Sequence, residues 1–414
     1  MDQLVALPIK GESFLLKKGG RYVLVDGGYN STSLTKALNR HNPSIGLIDI
    51  VICTHADEDH AGGLSDIIDT SGFQIGEFWL PGAWIDSAEE LLLSPRQVMK
   101  ELIEELDKLL AEPQQELTGT TQEIENSLNN KVIAERQRER AEKDWTQQNE
   151  IRQGNLIARM RERKDEILDA TSKAGQAFRS ARRRVNYRSQ NRKVPPGLTL
   201  YWLDLIETAK NIRAIAEQAI KHNVDIRWFD FNQFSGTRIA AGGDKDYLEP
   251  LNSVEYEPAP IPKHALSWLS KLSPVNEECL AFFSPPYFGT LGVIFCGDSP
   301  MGDGLNYANS FLAPTNRPDW PVVATAPHHG SESNAIAYNH VSSWASVATW
   351  IRTGGSIKQP GSSYKNIPVT HRMCTYCPQT GKAYGKAEIY ISALWIRYPL
   401  WILMKHCSHE CNCK

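Results

Sequence analysis

The 414-residue chain lacks a long uninterrupted apolar run and has almost no excess of charge. Its most apolar stretch, residues 391–404, contains Arg397 and Pro399 and is too short to span a bilayer. Residues 1–7 lack the basic segment and apolar core of a secretory signal. The net charge of −3 predicts no partner by charge alone. We therefore expect a cytoplasmic protein without membrane contact, which a cluster of unpaired cysteines also favours.

Glycine and proline are nearly absent from residues 135–169, which are rich in Glu, Arg, Gln and Lys. Earlier in the chain, Val98, Leu102 and Leu106 recur at helical spacing. Together these patterns predict a helical hairpin or coiled-coil arm that projects from the rest of the protein. One interpretation is a solvated helix without a partner. The alternative is a docking arm for a partner protein or for a second copy of the chain.

A ligand-rich loop, residues 54–60, directly follows the apolar strand predicted for residues 48–53. A loop that leaves a strand holds its backbone on one side while the side chains converge. Glycines at positions 62 and 63 allow a tight turn into a helix near Leu64. The alternative is an acidic loop with two histidines. The four candidate metal ligands in this loop are His55, Asp57, Asp59 and His60.

Two later strands supply the partners that this loop needs. One strand, residues 293–298, ends in Gly-Asp at Asp298, and another, residues 322–331, ends in Pro-His-His-Gly-Ser. Three apolar strands thus each deliver ligands from their carboxyl ends, as open sheets do when they build a site. A carboxylate between two divalent ions can bridge them, and a bridging water then becomes a hydroxide nucleophile near neutral pH.

This joint pattern resembles metallo-β-lactamase-fold hydrolases, whose signature T-H-x-H-x-D-H-x-G-G precedes a later Asp and a later His. Asp57 stands here where that signature has its second His. The run H-x-D-x-D-H, the strand ending in Gly-Asp and the run P-H-H-G-S are most similar to one branch of the family. That branch includes a domain of the ComEC-type competence DNA-uptake proteins and stand-alone relatives without membrane segments. The opening hairpin, residues 11–16 and 22–28, is also similar, and the resemblance covers residues 1–86 and 200–355.

The resemblance implies an αββα sandwich, which is an α/β fold, with two divalent metal ions, zinc or manganese. Asp26 would support the metal loop from behind. The implied ligands are His55 and Asp57 for the first metal, Asp59 and His60 for the second, Asp298 as the bridge, and His329 completing the second site.

The same resemblance assigns catalytic roles. Asp59 would orient a metal-bound hydroxide, while His328 would face the substrate phosphate or the leaving group; the two neighbouring histidines could also exchange roles. The family's further His between the signature and the bridging Asp has no obvious equivalent. The corresponding stretch, residues 276–280, resembles an N-x-x-S segment with Cys279 in place of Ser, so Asn276 is expected beside the ligands. A carboxylate in place of an imidazole should make the site tolerate manganese better than an all-histidine zinc site would.

A run of arginines closes the predicted helical arm. Arginines interleaved with Phe178 and Tyr187 suit a phosphate backbone and unstacked bases. The alternative is a solvated charged face. The candidate nucleic-acid contacts are Arg182, Arg183, Arg184 and Arg188.

The C-terminal tail holds a Cys-x-x-Cys followed at a distance by a second Cys/His cluster. This pattern is typical of a structural zinc site. The alternatives are a frayed tail with reactive thiols or, with less support, a redox pair. We predict four zinc ligands: Cys374, Cys377, Cys407 and Cys411.

We therefore predict a hydrolase in two parts, residues 1–86 and 200–355, interrupted by a helical insertion at 87–199 and followed by a zinc-binding tail at 356–414. Its expected reaction is hydrolysis of a phosphodiester in nucleic acid. The alternatives are hydrolysis of a small phosphoester or nucleotide, or a partner-controlled effector, by analogy with bacterial antiviral defence systems.

Overall fold

The computed structural model is of mixed α/β architecture, so the predicted fold class is confirmed at that level. No described helix combines the length and the apolar character that crossing a bilayer requires. The structure describes residues 2–111, 121–141, 156–192, 194–257, 266–273, 275–286, 290–355, 359–377, 385, 387–391, 405–407, 411 and 413.

Two sheets form the body of the protein. The strands are β1 Gln3–Ala6, β2 Phe14–Lys18, β3 Arg21–Val25, β4 Leu47–Ile52, β5 Gln74–Pro81, β6 Asp225–Asp230, β7 Glu249–Pro250, β8 Val254–Glu255, β9 Phe282–Ser284, β10 Gly292–Phe295, β11 Val322–Thr325, β12 Val347–Arg352, β13 Arg372–Cys374, β14 Ala387–Tyr390 and β15 Lys405–Cys407. Over the described residues the first sheet has the order β15-β14-β1-β2-β3-β4-β5-β6-β8, and the second has the order β13-β12-β11-β10-β9-β7. Strands β3 to β6 are mutually parallel, and so are β10 to β13.

Helices cover the outer faces of both sheets. They are α1 Ser31–His41, α2 Glu58–Ala61, α3 Ile67–Ser71, α4 Ile85–Leu93, α5 Pro95–Ala111, α6 Thr121–Ala141, α7 Leu156–Glu162, α8 Lys164–Arg192, α9 Pro196–His222, α10 Phe231–Thr237, α11 Trp268–Leu272, α12 Ala335–Trp344 and α13 Ser362–Lys365. Helix α9 begins with proline at its first turn, where the missing N–H costs nothing, and ends on left-handed Asn223.

The two sheets pack face to face through an apolar core. The Trp79 ring of the first sheet lies 5.5 Å from the Phe282 ring of the second. In β4, Ile50 and Ile52 belong to this core, whereas Ile48 belongs to the core under the helices. A strand with both faces covered is apolar throughout, which explains why β4 lacks strict alternation. The layers are therefore helices, sheet, sheet and helices, consistent with the expected αββα sandwich.

The helical insertion corrects one prediction. Its described helices, α5 to α8, do not project but pack on the helical layer of the first sheet. The reason lies partly in α8, where Ala174, Ala181 and Val185 form a buried stripe of small side chains. Arg136 of α6 is also buried and donates to the carbonyls of Ser270 and Ser273 at 2.7 and 2.9 Å. The insertion is thus part of the two-sheet body over the described residues.

Candidate metal centre

The candidate ligands all follow the carboxyl ends of parallel strands. Asp26 follows β3, residues 55–60 follow β4, Asp298 follows β10, and residues 328–329 follow β11. Because the two sheets face each other, these loops meet at one edge of the sandwich. The glycines of the motif permit this approach, since a Cβ atom on Gly63 would lie 1.9 Å from the carbonyl oxygen of residue 27. The helix expected near residue 64 begins later, as α3.

Asp298 lies between two groups of ligands. Its Oδ1 atom is 3.3 Å from Nε2 of His60. Its Oδ2 atom is 3.7 Å from Nε2 of His55 and 3.5 Å from Nε2 of His328. Each carboxylate oxygen thus faces different imidazoles, which is the geometry that a bridging ligand requires.

Two further carboxylates complete the two groups of ligands, the first around His55 and the second around His60 and His329. Asp57 Oδ2 lies 3.4 Å from Nε2 of His55, and Asp59 Oδ2 lies 2.9 Å from Nε2 of His329. The His60 and His329 rings are 5.1 Å apart. The structure therefore brings together the whole predicted ligand set. The structure also adds His328 to the first group, because His328 and His55 both face Asp298 Oδ2.

The Nδ1 atoms of the two motif histidines contact groups behind the centre. His60 Nδ1 is 2.8 Å from Asp26 Oδ2, and both residues are fully buried. The same carboxylate accepts hydrogen bonds from the backbone N–H and the hydroxyl of Thr54, each at 2.8 Å. His55 Nδ1 lies 3.1 Å from the Thr54 hydroxyl and 3.4 Å from Cys279 Sγ. Asp26 therefore occupies the supporting position that the sequence predicts.

The Nδ1 atoms of the two later histidines also contact supporting groups. His328 Nδ1 is 3.2 Å from the side-chain oxygen of Asn334. His329 Nδ1 is 3.2 Å from the Thr353 carbonyl and 3.2 Å from Glu12 Oε2. All four imidazoles thus direct Nε2 to the centre and Nδ1 to a supporting group. Histidines that bind metals have this orientation, because the second nitrogen fixes the tautomer and the ring plane.

The residues fit a pair of divalent ions. Among the described residues, buried atoms without a hydrogen bond of acceptable geometry include Nε2 of His55, Nε2 of His60 and Oδ1 of Asp298. Three such atoms buried at one centre are costly unless cations satisfy them. Metal–ligand bonds of about 2.0–2.2 Å place neighbouring ligand atoms roughly 3 Å apart, close to the observed 2.9 to 3.7 Å.

The electrostatic field at the centre favours positive charge. Burial lowers the pKa of His60, but Asp298, Asp26 and Asp59 outweigh it and hold that pKa well above its usual value. Burial also lowers the pKa of His329, yet its hydrogen bonds to Asp59 and Glu12 raise it to about 10. Burial raises the pKa of Asp298, but the surrounding imidazoles hold it well below its usual range. The same field would attract a metal cation in place of protons.

The turn that carries the two later histidines is strained. His328 and His329 have φ values of 47° and 54°, in the left-handed region that non-glycine residues rarely adopt. The structure holds the turn at both ends. The N–H of His328 donates to the Gly297 carbonyl at 2.9 Å, and Arg352 Nε donates to the His329 carbonyl at 2.6 Å. Such strain is kept where surrounding contacts determine the position of functional side chains.

One residue of the centre, Glu12, was not predicted from the sequence. Glu12 is buried within 4.8 Å of His60, Asp298 and His329 ligand atoms, so it could be a ligand itself. We assign it to orienting the imidazole of residue 329, because it faces Nδ1 while Nε2 faces Asp59. The residue stood in the opening hairpin that carries the resemblance, but nothing marked the side chain as inward-facing.

The segment around residue 276 supports the centre differently from the expectation. Asn276 opens the short 3-10 helix Asn276–Glu278, and its carbonyl accepts the Cys279 N–H at 3.2 Å. The residue that reaches the ligands is Cys279, whose sulfur contacts His55 and accepts the Asp298 N–H at 3.1 Å. The thiol therefore links a ligand of the first group to the bridge.

The arginine cluster lies on α8, outside the metal centre. Arg182 forms an ion pair with Glu207, and Arg188 forms one with Asp107. The side chains of Arg183, Arg184 and Tyr187 are exposed and line a shallow surface pocket. Two of the four predicted arginines thus stabilise the helical layer, while two face solvent.

The tail cysteines form a second buried cluster. Cys377 Sγ lies 3.8 Å from Cys411 Sγ and 2.9 Å from Cys413 Sγ. Cys374 joins them, since its sulfur lies within 4.8 Å of the sulfurs of Cys377 and Cys413. The structure thus brings together three of the four predicted ligands and adds Cys413. Cys407 ends β15, but its side chain lies outside the described part of the structure.

Comparison with known proteins identifies the class of the first part of the chain. A family model described as "Metallo-beta-lactamase superfamily" matches residues 8–125. This segment is a metallo-β-lactamase superfamily domain, which is a metal-dependent hydrolase fold. The matched range contains Glu12, Asp26 and the 55–60 motif, and it ends before the residues contributed by the second sheet. No curated protein matches the chain.

Proposed function

We propose that this protein is a metal-dependent phosphodiesterase that cleaves nucleic acid. The observation that carries the proposal is the arrangement of four imidazoles around Asp298, each with Nε2 inward and Nδ1 on a supporting group. Divalent ions held there would supply Lewis acidity and lower the pKa of a water molecule to near neutrality. The resemblance to the DNA-uptake branch supports nucleic acid as the substrate.

The two ligand groups define two metal positions. His55, Asp57 and His328 would hold the first ion, and Asp59, His60 and His329 the second, with Asp298 shared. In this assignment His328 supplies the imidazole that the family pattern places elsewhere, so it binds metal rather than the leaving group. Its side chain is 28% exposed and that of Asp57 is 33% exposed, so these two ligands mark the side from which substrate enters.

Asp59 has the position and charge to orient the attacking water. Burial raises its pKa, but His60 and His329 lower it well below its usual value, so the carboxylate stays ionised. An ionised carboxylate can accept the proton of a water molecule in a hydrogen bond and so direct the oxygen lone pair at phosphorus.

A cleavage panel tests the proposal. Purified full-length protein is incubated with linear and circular DNA, single-stranded DNA, RNA and bis(p-nitrophenyl) phosphate, with Mn²⁺, Mg²⁺ or Zn²⁺. The expected result is metal-dependent polymer cleavage that Asp59→Asn abolishes. The matched control is Asp66→Asn, which removes an exposed carboxylate that accepts a hydrogen bond from the Thr70 hydroxyl. Metal-loaded protein that cleaves none of these substrates would contradict the proposal.

One observation favours a small phosphoester as the second candidate. A cavity beside His55 is walled by the insertion and by α11, and it includes the side chains of Arg136 and Lys271. A cavity narrowed by the insertion suits a compact phosphoester better than a polymer backbone. Turnover of bis(p-nitrophenyl) phosphate without polymer cleavage, reduced by Lys271→Met, would favour this function over a nuclease.

A further inference from the structure

Two of the sulfur separations in the tail match a tetrahedral zinc site. With Zn–S bonds of about 2.3 Å, the sulfurs of a regular tetrahedron lie about 3.8 Å apart. The separations from Cys411 to Cys377 and to Cys413 are both 3.8 Å. Cys377 and Cys413 are 2.9 Å apart, which is closer than in a regular tetrahedron but too far for a disulfide bond, and the sulfurs of Cys374, Cys377 and Cys413 lie within 4.8 Å of one another. None of the four cysteines forms a disulfide bond, and each is at most 4% exposed.

Groups around the cluster suit a negatively charged metal complex. Arg352 Nη1 donates to Cys374 Sγ at 3.0 Å, and the backbone N–H of Tyr376 donates to the same sulfur at 3.2 Å. Four thiolates on one Zn²⁺ carry a net charge of −2, which a buried guanidinium would offset. Hydrogen bonds to ligand sulfurs are the usual outer layer of such sites.

The cluster also joins chain segments that are distant in sequence. Cys377 and Cys411 are 34 residues apart. A metal between them would fasten the end of the chain to the second sheet, next to β13. Because a metal that binds only the folded state adds its binding free energy to folding, this fastening would stabilise the tail.

The same arginine connects the cluster to the metal centre. Arg352 ends β12, is 1% exposed, and donates through Nε to the carbonyl of His329. The carbonyl of the neighbouring Thr353 faces His329 Nδ1, and the Thr353 hydroxyl lies 3.2 Å from the hydroxyl of Thr375, which stands between Cys374 and Cys377 in the sequence. Arg352 and Thr353 therefore both connect the Cys374–Cys377 segment to the strained His329.

We propose that Cys374, Cys377, Cys411 and Cys413 bind one Zn²⁺ ion that fixes, through Arg352, the turn carrying His328 and His329. The ion is a structural metal, separate from the pair at the catalytic centre. Arg352 is a positioning residue in this arrangement. The zinc site stands independently of the proposed function, whereas its effect on the catalytic centre rests on that function.

Zinc content and thiolate spectroscopy of the full-length chain test the site. We compare Cys413→Ser with its matched control Cys407→Ser under reducing conditions. Cys413→Ser should lose one equivalent of zinc and, after Co²⁺ substitution, part of the thiolate-to-metal charge-transfer absorption. Cys407→Ser should keep both. Equal losses in the two variants, or no loss in Cys413→Ser, would overturn the assignment.

Alkylation of the unmodified chain covers the case in which Cys413→Ser does not fold. The four cluster thiols should resist alkylation until a chelator removes zinc, and then react together. Cys53 and Cys296, which are fully buried elsewhere, should stay protected. Reaction of the four thiols at the same rate before and after chelation would count against a bound metal.

The link to the catalytic centre is tested with Arg352→Lys and its matched control Arg372→Lys. Arg372 donates to the carbonyls of Cys413 and Tyr364, whereas Arg352 donates to the histidine turn. Arg352→Lys should keep the structural zinc, weaken Mn²⁺ binding at the centre by about tenfold, and alter the EPR spectrum of the bound Mn²⁺. Arg372→Lys should leave Mn²⁺ binding unchanged.

Mn²⁺ binding and an EPR spectrum equal to those of the wild type in Arg352→Lys would overturn the link. Because these measurements do not use catalysis, absence of phosphodiester cleavage would refute the proposed function without touching the zinc site. Loss of the zinc assignment would likewise leave the metal-dependent cleavage standing.

Discussion

Replacement of Asp26 by asparagine should weaken metal binding without removing a ligand. The carboxylate accepts three hydrogen bonds, from the His60 ring and from the N–H and hydroxyl of Thr54, all at 2.8 Å. An asparagine of the same size brings an NH₂ group to a place where every neighbour donates. The His60 ring then loses the acceptor that keeps Nε2 directed at the centre.

The expected loss is that of an outer-layer partner of a metal ligand, about 10–100-fold in affinity, or about 1.4–2.8 kcal/mol. The free energy of unfolding should also fall by about 1–3 kcal/mol, because a buried donor is left without an acceptor. Isothermal titration with Mn²⁺ measures the first effect, and urea unfolding of the metal-free protein measures the second.

Asp49→Asn is the matched control. Asp49 lies in β4 of the same sheet and accepts the Tyr22 N–H at 2.7 Å, so its partner is a backbone group of β3 rather than a metal ligand. It should lose stability but keep Mn²⁺ affinity. Folded Asp26→Asn protein that binds Mn²⁺ as tightly as the wild type would refute the assignment of Asp26 as support for His60.

Three further predictions follow from the same geometry. His328→Ala should weaken Mn²⁺ binding at one of the two sites by at least about 100-fold, the upper end of outer-layer effects. His371→Ala, on the exposed surface, should change Mn²⁺ binding at neither site. Calorimetry measures the number of Mn²⁺ ions bound, and two intact sites in His328→Ala would contradict the ligand assignment. In protein stripped of divalent ions, the pKa of His329 is raised to about 10. Its ion pairs therefore stabilise the fold fully below its unfolded pKa of about 6.5, and this stabilisation is lost as pH rises towards 10. The melting temperature of chelated protein should fall between pH 7 and 9, and a constant melting temperature would contradict the pairing. Arg183→Gln combined with Arg184→Gln should lower the slope of log affinity against log salt for DNA by about 2 with no change in melting temperature, because both side chains are exposed; an unchanged slope would remove α8 from the nucleic-acid surface.

The metal ligands could be predicted because they stand in short runs that follow apolar strands. The spacing within residues 55–60, and the positions of Asp298 and His329 after later strands, place ligands at one sheet edge in any open sheet. The supporting groups could not be predicted in this way. Glu12 reaches His329 only through the packing of the first sheet on the second, and Arg352 reaches it through the pairing of β12 with β11. Sequence spacing predicts neither contact.

The helical insertion shows a second limit. Its predicted helices are present over the described residues, where they pack on the first sheet's helical layer, so the expected projection is wrong for these residues; residues 142–155 of the predicted arm lie outside the described part of the structure. In α8 the buried stripe contains Ala174, Ala177 and Ala181, whose small side chains allow close packing without adding much to a hydrophobic pattern. Buried Arg136 gave a further misleading signal, because a charged residue in a polar helix resembles a solvated one until its acceptors are known.

The tail lies between these cases. The Cys-x-x-Cys motif predicted half of the cluster, since two cysteines at this spacing can share one metal. The second half could not be assigned, because three cysteines follow within the last eight residues and strand pairing decides which of them face Cys374. Among the described side chains, the structure places those of Cys411 and Cys413 beside Cys377.

Anomalous diffraction from Mn²⁺-loaded crystals tests the dinuclear metal centre without assuming a substrate, because it locates each metal ion. Two peaks are expected, one on either side of the Asp298 carboxylate. One should lie within bonding distance of His55 and His328, and the other within bonding distance of His60 and His329. A single peak, or a peak bound by Glu12 in place of His329, would contradict the dinuclear centre described for this protein.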